Sequence, residues 1–182
     1  MRNILIKIIL LLFFSCGTSD TKQVDEDWDT TQFFDDMEWS TLDSLGSVIN
    51  ISDSIMAYNW NSYEENSANV HHYIVDAYGV FDRSVRNEIL LNEPQKQMLL
   101  NIITDSINFE GNNSICFIPH IAFVYYYQSE IIGQSNVCFL CSGIKSVPKS
   151  TTSLSLNGNV VLKDFCRIIG LEIVDNELIL AH

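Results

Sequence analysis

Residues 114–141 read SICFIPHIAFVYYYQSEIIGQSNVCFLC, and they decide the fold. Two runs rich in β-branched and aromatic residues flank the polar step Gln128-Ser129-Glu130. This pattern predicts an antiparallel hairpin turning at Gln128-Ser129, although Gln-Ser is weaker turn chemistry than Asn-Gly. With a two-residue loop, Tyr127 faces Glu130, and an unbroken register sets Cys116 opposite Cys141. Alternation then places Ile118, His120, Val137 and Phe139 on their face and Cys138 on the other.

The flanking segments carry helical signals. Asn92 suits an N-cap, Glu93 and Pro94 a first turn, and Gln95 the capping-box position. Met98, Leu99, Ile102, Ile103 and Ile107 follow at helical spacing, predicting a helix over 93–107 with one buried stripe. After a loop over 142–158, NVVLKDFCRIIG predicts a second helix over 160–169, capped by Asn159 and stopped by Gly170. Upstream, residues 33–65 have no clean period; a short helix around 40–48 and a loop over 59–69 are expected there. VHHYIVDAYGVF (70–81) reads as a strand, and so does LEIVDNELILAH (171–182). Together these elements predict an α+β domain, a small antiparallel sheet with a central hairpin at about 115–141 between the two helices.

The N-terminus reads as an address. Arg2 and Lys7 precede the apolar run Ile8–Phe14, which ends at Ser15-Cys16-Gly17. The run fits a signal-peptide h-region and is too short for a membrane-spanning helix, which needs roughly 20 residues. A small residue and then cysteine after such a run resembles the lipobox of bacterial lipoproteins, and Phe13-Phe14 resembles the aromatic variants of Bacteroidota. The resemblance implies cleavage after residue 15, lipid on Cys16, and anchorage in the cell envelope, at the outer membrane in preference to the inner. Acyl chains at ~0.8 kcal/mol per buried CH₂ would make that anchorage essentially irreversible. Residues 16–32 are polar and acidic and read as a tether, leaving 33–182 as one domain. Asp25-Glu26-Asp27-Trp28-Asp29 resembles the acidic export signals of Bacteroidota surface lipoproteins, and it equally suits a solvated linker.

The formal charge of −13 argues against nucleic acid and against an electrostatic grip on anionic lipid. It suits solubility first and a cationic protein partner second. With 47% hydrophobic residues the chain can build a real core.

Exported cysteines are disulfide candidates. Three readings compete for Cys116, Cys138 and Cys141: a structural disulfide, buried unpaired thiols, or a site, either thiolate redox chemistry at Cys138-Phe139-Leu140-Cys141 or a metal held with His120. A redox pair usually sits at a helix N-terminus, whereas Cys138-Phe139-Leu140-Cys141 ends a strand. A zinc site lacks a second paired-ligand knuckle. Cys166 reads as core. The pattern Cys116-Phe117-x-Pro119-His120 followed by Val137-Cys138-Phe139-x-Cys141 resembles a family of small bacterial proteins to which no activity is attached. Over residues 90–170 the resemblance implies architecture alone. Ile121 stands where those proteins usually carry His or Asn.

His71-His72 would point to opposite faces of a strand and cannot share one metal. Tyr125-Tyr126-Tyr127 should alternate between core and surface. Four Asp-Ser/Thr tripeptides resemble the O-glycosylation motif of Bacteroidota, with Asp29-Thr30-Thr31 the best placed. No GxSxG, HExxH or P-loop motif occurs. The expectation is a membrane-anchored, non-enzymatic binding or structural module without a cofactor. Two alternatives stand beside it: a thiol- or metal-dependent envelope activity at Cys116, Cys138 and Cys141, and an acidic inhibitor or immunity-type protein.

Overall fold

The computed structural model describes residues 45–62, 71–76, 78–110, 117–148 and 150–173. Among these, three α-helices (α1 Leu45–Ile51, α2 Glu93–Thr104, α3 Leu156–Ile169) accompany seven strands. The strands are β1 Ser54–Asn59, β2 Asn87–Leu90, β3 Phe109–Glu110, β4 Ile121–Tyr127, β5 Glu130–Cys138, β6 Gly143–Val147 and β7 Ser150–Leu154. They form one sheet in the order β2-β1-β4-β5-β6-β7-β3, antiparallel at every junction. The fold class is α+β, with a larger sheet than the sequence suggests.

The β4–β5 hairpin lies at its centre and turns at Gln128-Ser129. Both turn residues are left-handed (φ 51° and 70°), as a type I′ turn requires. Neither is glycine, so each costs roughly 1 kcal/mol. Asp53 Oδ2 offsets part of this by accepting the Gln128 N–H at 2.6 Å. The ladder starts in the expected register, Tyr127 with Glu130, and then slips. Tyr126 pairs with Ile131 but Tyr125 with Gly133, so Ile132 is the extra residue of a bulge. Gly133 suits that site because a Cβ there would lie 2.5 Å from the Val147 carbonyl oxygen. From the bulge on, every pair shifts by one: Val137 faces Ile121, the place that unbroken register gives to His120.

All three helices pack on one face of the sheet. Val48 and Ile49 of α1, Leu99 and Ile102 of α2 and Leu162, Phe165 and Ile169 of α3 meet Ile55, Phe123, Val137 and Ile144 there. The capping box of α2 forms as read, with Asn92 accepting from the Gln95 N–H and Gln95 reaching back to the Asn92 N–H. The helix stops at Thr104, short of 107, because the Asp105 side chain accepts the Ile107 N–H and starts a 3₁₀ turn over Ser106–Asn108. Ile107 is therefore left exposed beyond the helix; Met98, inside it, is exposed too, and Leu99 and Ile102 carry the buried stripe. The last helix starts earlier than expected. Its cap is Ser155, whose hydroxyl accepts the Gly158 N–H, while Gly170 at φ 94° ends it as predicted.

The opposite face is covered by chain, not by helices. Residues 71–76 and 78–86, expected as a strand as far as Phe81, form only an isolated Val75–Phe81 bridge. A turn breaks the run: Asp76 Oδ1 accepts the Tyr78 and Val80 N–H groups, and Gly79 adopts φ 76°. Ile74 and Val75 pack with Tyr58, Trp60, Ala122 and Val124. Their backbone is met by side chains. Gln134 Oε1 accepts the Val75 N–H, Gln134 Nε2 donates to the Val75 carbonyl, and Asn136 Oδ1 accepts the Ile74 N–H.

The segment expected as a loop over 142–158 contains β6 and β7. The helix expected near 40–48 is met only by α1, which starts at Leu45, with 40–44 outside the described residues. Residues 171–173 are not a strand, and 174–182 lie outside the described residues.

Candidate functional site

Cys138 closes β5, paired with Gly143 of β6, and the turn between the two strands runs through Phe139–Ser142. Alternation with Val137, which packs on the helix side, sets Cys138 on the face of Asn136. Cys141 stands in the turn and outside the ladder, so it is not a cross-strand partner of the kind the unbroken register implies. Cys116 and Cys16 lie outside the described residues. What the turn does instead is fold Cys141 back on Cys138: the two sulfurs are 2.7 Å apart. Cys138 is buried and Cys141 half-buried.

The turn is held from outside. Asn159, in the first turns of α3, donates from Nδ2 to the Phe139 carbonyl (3.1 Å) and to Ser142 Oγ (2.7 Å). The Leu154 N–H donates to the Ser142 carbonyl at 2.6 Å. Ser142 takes φ 51°, and Lys163 sets its ammonium 5.6 Å from the centre of the Phe139 ring. The sequence offers Asn159 as a helix cap; its bracing role was hidden because the Phe139–Ser142 turn is nearby only in the folded chain.

Cys166 is separate from this pair. It is buried on the helix side with Phe165 and Ile169, and burial pushes its thiol far above the ordinary range. It is core, as read.

The histidines take separate partners. His71 Nδ1 lies 3.3 Å from Asp82 Oδ2, whereas His72 Nδ1 lies 2.8 Å from Lys145 Nζ and its ring meets Phe117 edge-on. Lys145 also stands over the Phe117 ring at 4.8 Å. This corner was not legible because it needs β6, which the sequence hides. Among the described residues no group of three His, Cys, Asp or Glu side chains is placed to hold a metal.

Burial lowers the pKa of His120, and the nearby Arg86 charge acts in the same direction against a hydrogen bond with the Trp60 backbone. The unfolded chain therefore takes up this proton at higher pH than the folded one. The His120 contribution to stability is present above about pH 6.5 and is lost as pH falls below it. His120→Gln should flatten the decline of the urea midpoint between about pH 7.5 and 5. An unchanged slope would remove His120 from that role.

Tyr125 is fully buried, and its hydroxyl donates to Ser135 Oγ, itself 2.9 Å from Ser146 Oγ. Tyr126 reaches toward the Tyr58 hydroxyl at 3.4 Å on the opposite face and Tyr127 packs at the edge of the helix-side core, both half-buried. The three therefore do not form one stacking platform.

No family model, curated protein or solved structure compared with the chain matches it. Fold and local geometry define the class: an α+β domain with a braced dithiol turn at one end of its sheet.

Proposed function

We propose that the chain is an envelope lipoprotein, anchored by lipid on Cys16, whose α+β domain serves as a non-enzymatic binding or structural module. The observation that carries this reading is the order of Arg2, the apolar run Ile8–Phe14 and Ser15-Cys16-Gly17. The polar, acidic composition of residues 17–32 supports it, since such a stretch suits a spacer between lipid and domain. The domain adds support through the use of its buried polar groups. Gln134, Ser135, Asn136, Ser146 and Asn159 are all committed to hydrogen bonds that hold the architecture. The favoured partner is a cationic protein or envelope component, given the charge of −13.

Metabolic labelling with palmitate tests the anchor. The full chain should carry label and partition with membranes, and Cys16→Ala should lose both. Continued labelling of Cys16→Ala would overturn the assignment.

A second reading, a thiol-dependent envelope activity, is favoured by the 2.7 Å separation of the Cys138 and Cys141 sulfurs.

A further inference from the structure

We propose that Cys138 and Cys141 form a reversible dithiol–disulfide pair within the turn from β5 to β6, with Cys141 as the attacking thiol and Cys138 as the resolving one. The sulfurs already lie 2.7 Å apart, and a disulfide bond is about 2.05 Å, so closure needs a shift of less than about 1 Å. Asn159 grips the turn at Phe139 and Ser142, one residue to either side of Leu140-Cys141, which holds the two sulfurs close.

Access divides the roles. Cys138 is buried and Cys141 is half-buried, so an external reagent meets Cys141 first. Its thiolate attacks one sulfur of an external disulfide; that S–S bond breaks and the other sulfur leaves as a thiolate. Cys138 then gives its proton to water and attacks the Cys141 sulfur. The Cys138–Cys141 bond forms, the mixed disulfide breaks, and the second external sulfur leaves as a thiolate. In total the two protein thiols lose two protons and two electrons, and one external disulfide becomes two thiols. Cys166, buried in the core on the helix side, takes no part.

The oxidant is a low-molecular-weight or protein disulfide, of the kind an oxidising envelope compartment supplies. That supply rests on the lipoprotein reading; the pairing itself does not.

The test uses the full chain carrying Cys16→Ala, purified in detergent and equilibrated in glutathione buffers from reducing to oxidising. Thiols are trapped by alkylation, and each cysteine is read by fragmentation mass spectrometry. The expected result is the joint loss of alkylation at Cys138 and Cys141 in oxidising buffer, with two hydrogens lost from the chain and Cys116 and Cys166 still alkylated. Reducing buffer restores both sites. In Cys141→Ser, which leaves the buried Cys138 in place, Cys138 should form no disulfide within the chain. A bond from Cys116 to either residue, or alkylation of both throughout the series, would overturn the pairing. Because the buffer supplies the oxidant, these outcomes are independent of palmitate labelling, which reads the anchor alone.

Discussion

Gly158→Ala should lower the stability of the domain by about 3 kcal/mol, although the same change usually strengthens a helix by up to about 1 kcal/mol. A Cβ on Gly158 would lie 2.0 Å from the Asn108 carbonyl oxygen and within 3.0 Å of two further Asn108 backbone atoms. Asn108 has no freedom to retreat. It is buried, its carbonyl accepts the Ser155 N–H at 2.9 Å, and its side chain joins the Ile102 carbonyl to Asn157 Nδ2. Any shift that admits the methyl group therefore strains the junction of α2 with α3 and weakens the Ser155 cap, itself worth about 1 kcal/mol. Urea denaturation measures the effect. A midpoint equal to or above that of the parent chain would show that Asn108 yields freely.

Gln134→Leu should have an effect of similar size for a different reason. Leucine nearly conserves volume, so little apolar packing is lost. What is lost is the partner of three buried groups: the Val75 N–H, the Val75 carbonyl and one N–H of Asn136. Each buried group left unsatisfied costs about 1–3 kcal/mol, giving about 3 kcal/mol or more together. The loss should also be local, with faster amide exchange at Ile74 and Val75 than in β4 and β5. Uniform protection at those two amides would show that the segment is held without Gln134.

How much of this was legible follows from how far apart the causes lie in the chain. The turn at Gln128-Ser129, the Asn92–Gln95 cap and the Gly170 stop are written within a few residues, and all three appear as read, whereas the register beyond the turn does not. β6 and β7 were missed because their segment, GIKSVPKSTTSL, is short, interrupted by Pro148 and half polar. The sheet core accepts such polarity: Ser146 is buried there, matched by Ser135 and Tyr125. The run around Ile74 and Val75 reads as a strand because it is rich in β-branched and aromatic residues, but the Ile74 and Val75 N–H groups bond to side chains. The Cys138-x-x-Cys141 spacing was visible from the start. The bulge at Ile132, the end of the ladder at Cys138 and the Asn159 brace decide its geometry, and of the three only the bulge leaves a local trace, Gly133 inside a strand run.

The turn at Gln128-Ser129 has a consequence for the order in which the chain folds. Its backbone is one that Gln and Ser do not favour, and the group that stabilises it, Asp53, is 75 residues away in sequence. The same residue ties down the far end of β4, where the Asp53 N–H donates to the Tyr126 carbonyl at 2.9 Å. A hairpin closed by Asn-Gly could form on its own within microseconds. Here the Asp53 hydrogen bond reaches the turn only once the start of β1 has docked, so part of the stabilisation of the turn comes from a distant neighbour. The element that looks most local in the sequence is thereby made one of the most dependent on long-range contact.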